Sequence, residues 1–248
     1  MSIASYEELL ALKETGRIVR LALEAMRKEV RAGVTTEELA RVGGKVMREN
    51  GARSAPRMVY GFPGDALISL NDEAVHGIPS DSRTVHAGDL VKLDVTFEKG
   101  GYMADAAMTV AVEPVTPEAR KLARCAESAF KTAMQFARAN HRVNEIGRAV
   151  EREVKRNGFQ VIRELGGHGI GRTIHEEPNV PNYDDPHARG RLKAGMVLTV
   201  EPILAAGRGE PRDSGDGWTV KTADGSLSAH YEHTIVITEG APLLLTAE

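Results

Sequence analysis

The sequence predicts an α+β protein: one domain, residues 1–248, made of two similar halves at about 1–112 and 113–248. The first observation behind this is an internal repeat. Ala87-Gly88-Asp89-Leu90-Val91-Lys92-Leu93-Asp94 aligns with Ala194-Gly195-Met196-Val197-Leu198-Thr199-Val200-Glu201, an offset of 107 residues. The same offset pairs Asn50-Gly51 with Asn157-Gly158, each closing a helical pattern. One offset that fits strand ends and helix ends together argues for duplication over chance. The second observation is order: each half runs helix, helix, then strands, which stacks helices on a sheet and does not alternate βαβ units. No low-complexity linker divides the halves.

Ser5 with Glu8 forms a capping box that opens the first helix. Leu12, Gly16, Val19, Leu23, Met26 and Val30 then recur at spacings of four and three, a single buried stripe, and Gly33 is expected to stop it. Thr35 with Glu38 opens the second helix, which carries Leu39, Val42, Val46 and Met47 as far as Asn50-Gly51. In the second half Thr116-Pro117-Glu118 starts a helix with proline at its first position. Leu122, Ala126, Ala129, Ala133 and Phe136 follow, and the next helix carries Ile146, Val150 and Val154 up to Asn157-Gly158. Strands are expected over 67–70, 90–97, 102–112, 161–165, 197–204, 219–221 and 230–238.

Apolar residues at 42% and charged residues at 27% are ordinary for a soluble globular chain. A net charge of −3 gives no reason to expect nucleic acid or an anionic membrane as a partner. Cys125 is the only cysteine, which excludes an internal disulfide and a cysteine-rich zinc module. Glu7, Glu8 and Lys13 stand where a signal peptide needs its apolar core, and no run approaches the roughly 18 apolar residues of a membrane span. The cytoplasm is the expected location.

Each half presents two acids on or beside predicted strands: Asp94 and Asp105, then Glu201 and Glu232. Along the first strand Val91, Leu93, Val95 and Phe97 share one face, so Lys92, Asp94 and Thr96 point the other way. Thr199 and Glu201 likewise share a parity. A single such acid is usually held in a structural ion pair, here with Lys92 or an arginine. Four ionised carboxylates around one axis need neutralisation, and two divalent cations would supply it.

Among the histidines, His168 lies in Gly166-Gly167-His168-Gly169-Ile170-Gly171, where the glycines permit close backbone approach and leave the imidazole open to a ligand. The glycine spacing does not match a dinucleotide loop. His175, in Ile174-His175-Glu176-Glu177-Pro178, superficially suggests a zinc-protease motif, but Asn179 stands where HExxH needs its second histidine. His76 occupies a tight loop, Val75-His76-Gly77-Ile78-Pro79. His230 and His233 flank Glu232, and alternation puts only His230 on the acid's face, near the ligands but outside direct ligation. His86, His141 and His187 are ordinary loop residues, and Cys125 has no evident partner.

Taken in order and spacing, Asp94, Asp105, His168, Glu201 and Glu232 resemble the five metal ligands of type I methionine aminopeptidases. The surrounding phrases agree: Val75-His76-Gly77-Ile78-Pro79, Gly167-His168-Gly169-Ile170-Gly171, His175-Glu176-Glu177-Pro178 and Val200-Glu201-Pro202. So does Gly217-Trp218-Thr219-Val220-Lys221, leading into Ser228-Ala229-His230-Tyr231-Glu232-His233-Thr234. The resemblance covers nearly the whole chain. It implies the pita-bread fold, with pseudo-two-fold halves around a central antiparallel sheet, and two divalent ions chosen from Co, Mn, Fe, Zn or Ni. It also implies removal of N-terminal methionine from nascent polypeptides whose second residue is small. Glu201 would ligate and also carry the proton from water to the leaving amine. His175 would bind the developing oxyanion and His76 the amide nitrogen.

The side-chain pocket would be lined by Phe62, Trp218, Val59, Leu67 and Ile174, with Pro56 beside them. Pro56, Val59, Leu67 and Ile174 depart from the residues usual in bacterial members, which predicts looser selectivity for methionine. A monomer is expected, with contact at the ribosome left open. Two alternatives stand beside this reading. One is a proline-type peptidase of the same fold, although such enzymes normally carry an additional N-terminal domain. The other is a binding module that has lost its activity.

Overall fold

The structure is a computed structural model and describes residues 1–247. The first half contains helices α1 (Tyr6–Glu29), α2 (Thr36–Glu49) and the short α3 (Ala55–Tyr60). Its strands are β1 (Arg53–Ser54), β2 (Leu67–Leu70), β3 (Glu73–Val75), β4 (Leu90–Lys99) and β5 (Tyr102–Ala111). The second half contains helices α4 (Pro117–Ala133) and α5 (Val143–Arg156), then β6 (Gln160–Val161), β7 (Gly166–Gly169) and β8 (Glu176–Pro181). It continues through β9 (Val197–Val200), β10 (Ile203–Ala205), β11 (Pro211–Asp213) and β12 (Val220–Thr222) to β13 (Ser228–His230), β14 (Glu232–Val236) and β15 (Leu243–Leu244).

Nine strands form one antiparallel sheet in the order β1-β4-β5-β14-β9-β7-β8, with β2 added on β4 and β15 on β14. The halves meet where β5 pairs with β14. Each half covers the same side of its strands with its helix pair. Val91, Leu93, Val95 and Phe97 of β4 pack under Val19, Leu23 and Met26 of α1 and Leu39 of α2. Leu198 and Val200 of β9 pack under Leu122 and Ala126 of α4 and Ile146 and Val150 of α5. Each large apolar side chain so buried contributes about 1.5–3 kcal/mol, which fixes the strand faces. Asp94, Thr96, Thr199 and Glu201 are thereby turned to the side opposite the helices.

The expected α+β layers, the helix pairs and the strand at 67–70 are all present. Several boundaries differ. Ser5 caps α1 by accepting the Glu8 N–H, but the Glu8 carboxylate takes the Ala4 N–H, so the box closes one residue early. The helix stops at Glu29, and Gly33, at φ +92°, turns the chain further on. Phe136 lies beyond the end of α4. The strand expected at 161–165 ends at Val161, and those at 197–204 and 230–238 are interrupted. Between β9 and β10 the break falls at Glu201-Pro202, where proline lacks an N–H for the ladder. Between β13 and β14 it falls at Tyr231, whose N–H turns aside to Pro202 O. Among the described residues no helix is long and apolar enough to cross a membrane.

Candidate metal centre

Register brings the acids together. Asp94 of β4 stands opposite Ala107 of β5, and Ala107 stands opposite Glu232 of β14. The two carboxylates therefore share one row across three strands, separated only by a methyl group. Asp105, two residues from Ala107, shares that face and lies opposite Thr96. Glu201 follows the last residue of β9, and its Oε1 accepts the Thr199 hydroxyl at 2.8 Å. The same hydroxyl accepts the His168 N–H at 3.0 Å, so one buried threonine orients two site residues. Asn182 Nδ2 donates to the Glu201 carbonyl at 2.8 Å.

Two further threonines cross the seam in opposite directions. Thr234 of β14 accepts the Asp105 N–H and donates to the Asp105 carbonyl, both at 2.8 Å. Thr109 of β5 does the same for His230, at 2.9 and 2.8 Å.

His168 belongs to a strand, not to a turn. A Cβ on Gly167 would meet the Thr199 carbonyl and one on Gly169 would meet the Glu177 carbonyl, so these glycines let β7 lie closely between β8 and β9. His168 Nδ1 lies 2.9 Å from Gly169 O. A carbonyl only accepts, so Nδ1 carries the proton and Nε2 offers its lone pair, 3.5 Å from Glu201 Oε1.

Among the described residues the cluster has no cationic side chain paired with it. Lys92, the expected ion-pair partner, instead donates to Asn71 O at 2.8 Å and to Ser228 Oγ and O at 3.1 and 3.3 Å. Burial, followed by the charges of neighbouring acids, pushes Asp94, Glu201 and Glu232 well above the usual carboxylate range. Burial lifts Asp105 to about 7. Burial also holds His76 and His168 down to about 4 and His230 to about 3, so all three rings are neutral at pH 7.

Asp105 Oδ1, Glu232 Oε1 and both ring nitrogens of His230 are buried without a hydrogen-bond partner. Donor atoms of Asp105, His168 and Glu232 lie within 4.8 Å of one another, as do those of Glu201, His230 and Glu232. Oxygen-rich sets with imidazole suit divalent first-row transition metals, and the orphaned atoms are what such ions would satisfy.

These groups floor a cavity of about 200 Å³. Its apolar wall is Pro56, Phe62, Leu67, Ile174 and Trp218, with Phe62 and Trp218 meeting edge to face at 5.2 Å. Val59 does not line the cavity; its neighbour Tyr60, half-exposed on α3, contributes to the lining instead. The Tyr60 hydroxyl lies 2.6 Å from His175 Nδ1, and the His175 ring meets His168 at 4.2 Å. Tyr60 was not expected at the site, although Pro56 and Gly61 mark the start and end of a short helix there. His76 opens into the cavity from a left-handed backbone conformation, φ +60°, a strained state for a non-glycine residue. His230, expected outside direct ligation, has Nε2 only 3.4 Å from Glu232 Oε2.

Acids and imidazoles converging on the seam of a duplicated antiparallel sheet, under an apolar cavity, define a metallohydrolase. The sequence pattern of metallopeptidase family M24 matches residues 11–239. The chain is 45% identical over 247 residues to methionine aminopeptidase 2 of Bacillus subtilis (strain 168), covering 99% of both chains. It is 39% identical over 247 residues to the methionine aminopeptidase of Escherichia coli (strain K12), covering 99% of this chain and 94% of the other. The crystal structure of methionine aminopeptidase from Thermotoga maritima superposes with a TM-score of 0.96 at 32% identity, over 100% of both chains. Prolidase from Pyrococcus furiosus shares the fold, with a TM-score of 0.79 at 24% identity over 99% of this chain and 65% of its own. The chain belongs to metallopeptidase family M24, in its methionine aminopeptidase branch, and has that family's pita-bread fold.

Proposed function

We propose that this single-domain protein hydrolyses the first peptide bond of polypeptides that begin with methionine and continue with a small residue. It would act as a cytoplasmic monomer on nascent chains, through two divalent ions held by Asp94, Asp105, His168, Glu201 and Glu232. The observation that carries this reading is the convergence of these side chains, with buried oxygens left unpartnered, at the floor of an apolar cavity. When bound, the ions supply Lewis acidity and acidify water toward neutrality.

The chain's own groups do the rest. Glu201, fixed by the Thr199 hydroxyl, accepts a proton from the attacking water and returns it to the leaving amine. The Tyr60 hydroxyl, donating to His175 Nδ1, leaves Nε2–H of that ring to hydrogen-bond the developing oxyanion. His76 hydrogen-bonds the amide nitrogen from the cavity wall. Phe62, Leu67, Ile174 and Trp218 enclose an unbranched thioether without offering it a polar partner.

The test is kcat/KM on Met-Ala-Ser after chelation and readdition of divalent metal. The expected result is metal-dependent release of methionine. Faster cleavage of Xaa-Pro peptides would replace the reading with the proline-type one, and no cleavage of either by metal-loaded protein would favour the inactive binding module.

A further inference from the structure

We propose that His230 is a direct nitrogen ligand of one ion, so that each ion of the pair carries its own imidazole. This rests on the dinuclear reading above. His230 ends β13 and pairs with Ile203, and Thr109 clamps both its N–H and its carbonyl. Residues two apart share a face, and His230 and Glu232 both face the cavity. The side chain is 2% exposed, and neither ring nitrogen has a partner.

Distances separate ligation from hydrogen bonding. Nε2 of His230 stands 3.4 Å from Glu232 Oε2 and 3.8 Å from Glu201 Oε2. A charge-assisted hydrogen bond from imidazole to carboxylate would be about 2.7–2.9 Å. Two ligands about 2.0–2.2 Å from one tetrahedral ion lie about 3.4 Å apart. His168 has the same relation to the other oxygen of Glu201, at 3.5 Å. The two oxygens of Glu201 thus face one imidazole each. A second imidazole biases the site toward Co, Fe, Ni or Zn and away from Mn, which prefers oxygen donors.

The experiment uses the full chain stripped with chelator and titrated with Co(II), followed by calorimetry and by proton NMR of the loaded protein. The wild type is expected to bind two ions and to show two hyperfine-shifted, solvent-exchangeable imidazole N–H resonances. His230→Gln should keep one resonance and one tight ion, and bind the other about tenfold or more weakly. Two bound ions with one imidazole resonance in the wild type would overturn the assignment alone, without relying on any variant's folding. Unchanged affinity for both ions in folded His230→Gln would also overturn it. A wild type that binds no ion would remove the dinuclear reading itself, and the ligand assignment with it.

Discussion

The Tyr60 hydroxyl approaches Nδ1 of His175 to 2.6 Å, and this contact engages one ring nitrogen and leaves only Nε2 for the cavity. Tyr60→Phe should lower kcat about tenfold with little change in bound metal, because the favoured tautomer is lost while the ring stays. His175→Ala should cost about 10²–10³ in kcat, the usual effect of deleting one oxyanion donor. Steady-state kinetics and elemental analysis on the same samples check both. Metal loss that accounts for the whole fall would reassign His175 as a ligand.

Thr199→Val should be more damaging than its modest chemistry suggests. It removes the hydroxyl that donates to Glu201 and accepts from His168, and leaves both partners buried. Stranding such groups costs about 1–3 kcal/mol. A lower melting temperature together with reduced kcat is expected, and Thr199→Ser should recover most of both.

Metal should stabilise the fold more as pH rises. In the metal-free protein Asp105 sits near 7 against an ordinary 3.8, so it holds its proton more tightly folded than unfolded. That contribution is fully present below about pH 4 and is lost as pH climbs through 7. Asp94, Glu201 and Glu232 shift in the same direction. The gain in melting temperature on adding Co(II) or Zn(II) should therefore grow between pH 6 and 8, with proton release on binding. A gain that shrinks over this range would contradict the account.

Selectivity should be firmer at the second residue than at the first. The apolar wall discriminates a methylene by about 1–3 kcal/mol, so leucine or norleucine should be cleaved at about 10–200-fold lower kcat/KM than methionine. A bulky second residue would crowd His76 and displace the carbonyl, and misplacement by about 1 Å can cost about 100-fold. The peptide series Xaa-Ala-Ser and Met-Xaa-Ser measures both.

Strand parity and the 107-residue repeat made Asp94 and Glu201 legible in the sequence, because a two-residue period assigns faces without knowledge of the partner strands. The same rule put His230 on the face of Glu232, where the structure has it, but gave no distance to the acids. A face assignment carries no distances, and the approach of the His230 ring to Glu232 depends on tertiary placement that no local pattern encodes. Val59 and Tyr60 were exchanged for a related reason. In a six-residue helix, neighbours diverge by about 100°, and too few apolar positions exist to set the phase. Glu201-Pro202 was the readable exception, since the proline announced a ladder break that the expected strand at 197–204 passed over.

The reciprocal grip of Thr234 on Asp105 and Thr109 on His230 bears on where such a centre comes from. Each half lends a hydroxyl to fasten the backbone that carries the other half's donor, so neither half can finish its contribution alone. Assembly of the full centre is thereby tied to docking of the halves. A half-length ancestor could have built this chemistry only by pairing with a second copy of itself, and fusion into one chain would have turned a concentration-dependent association into an intramolecular one.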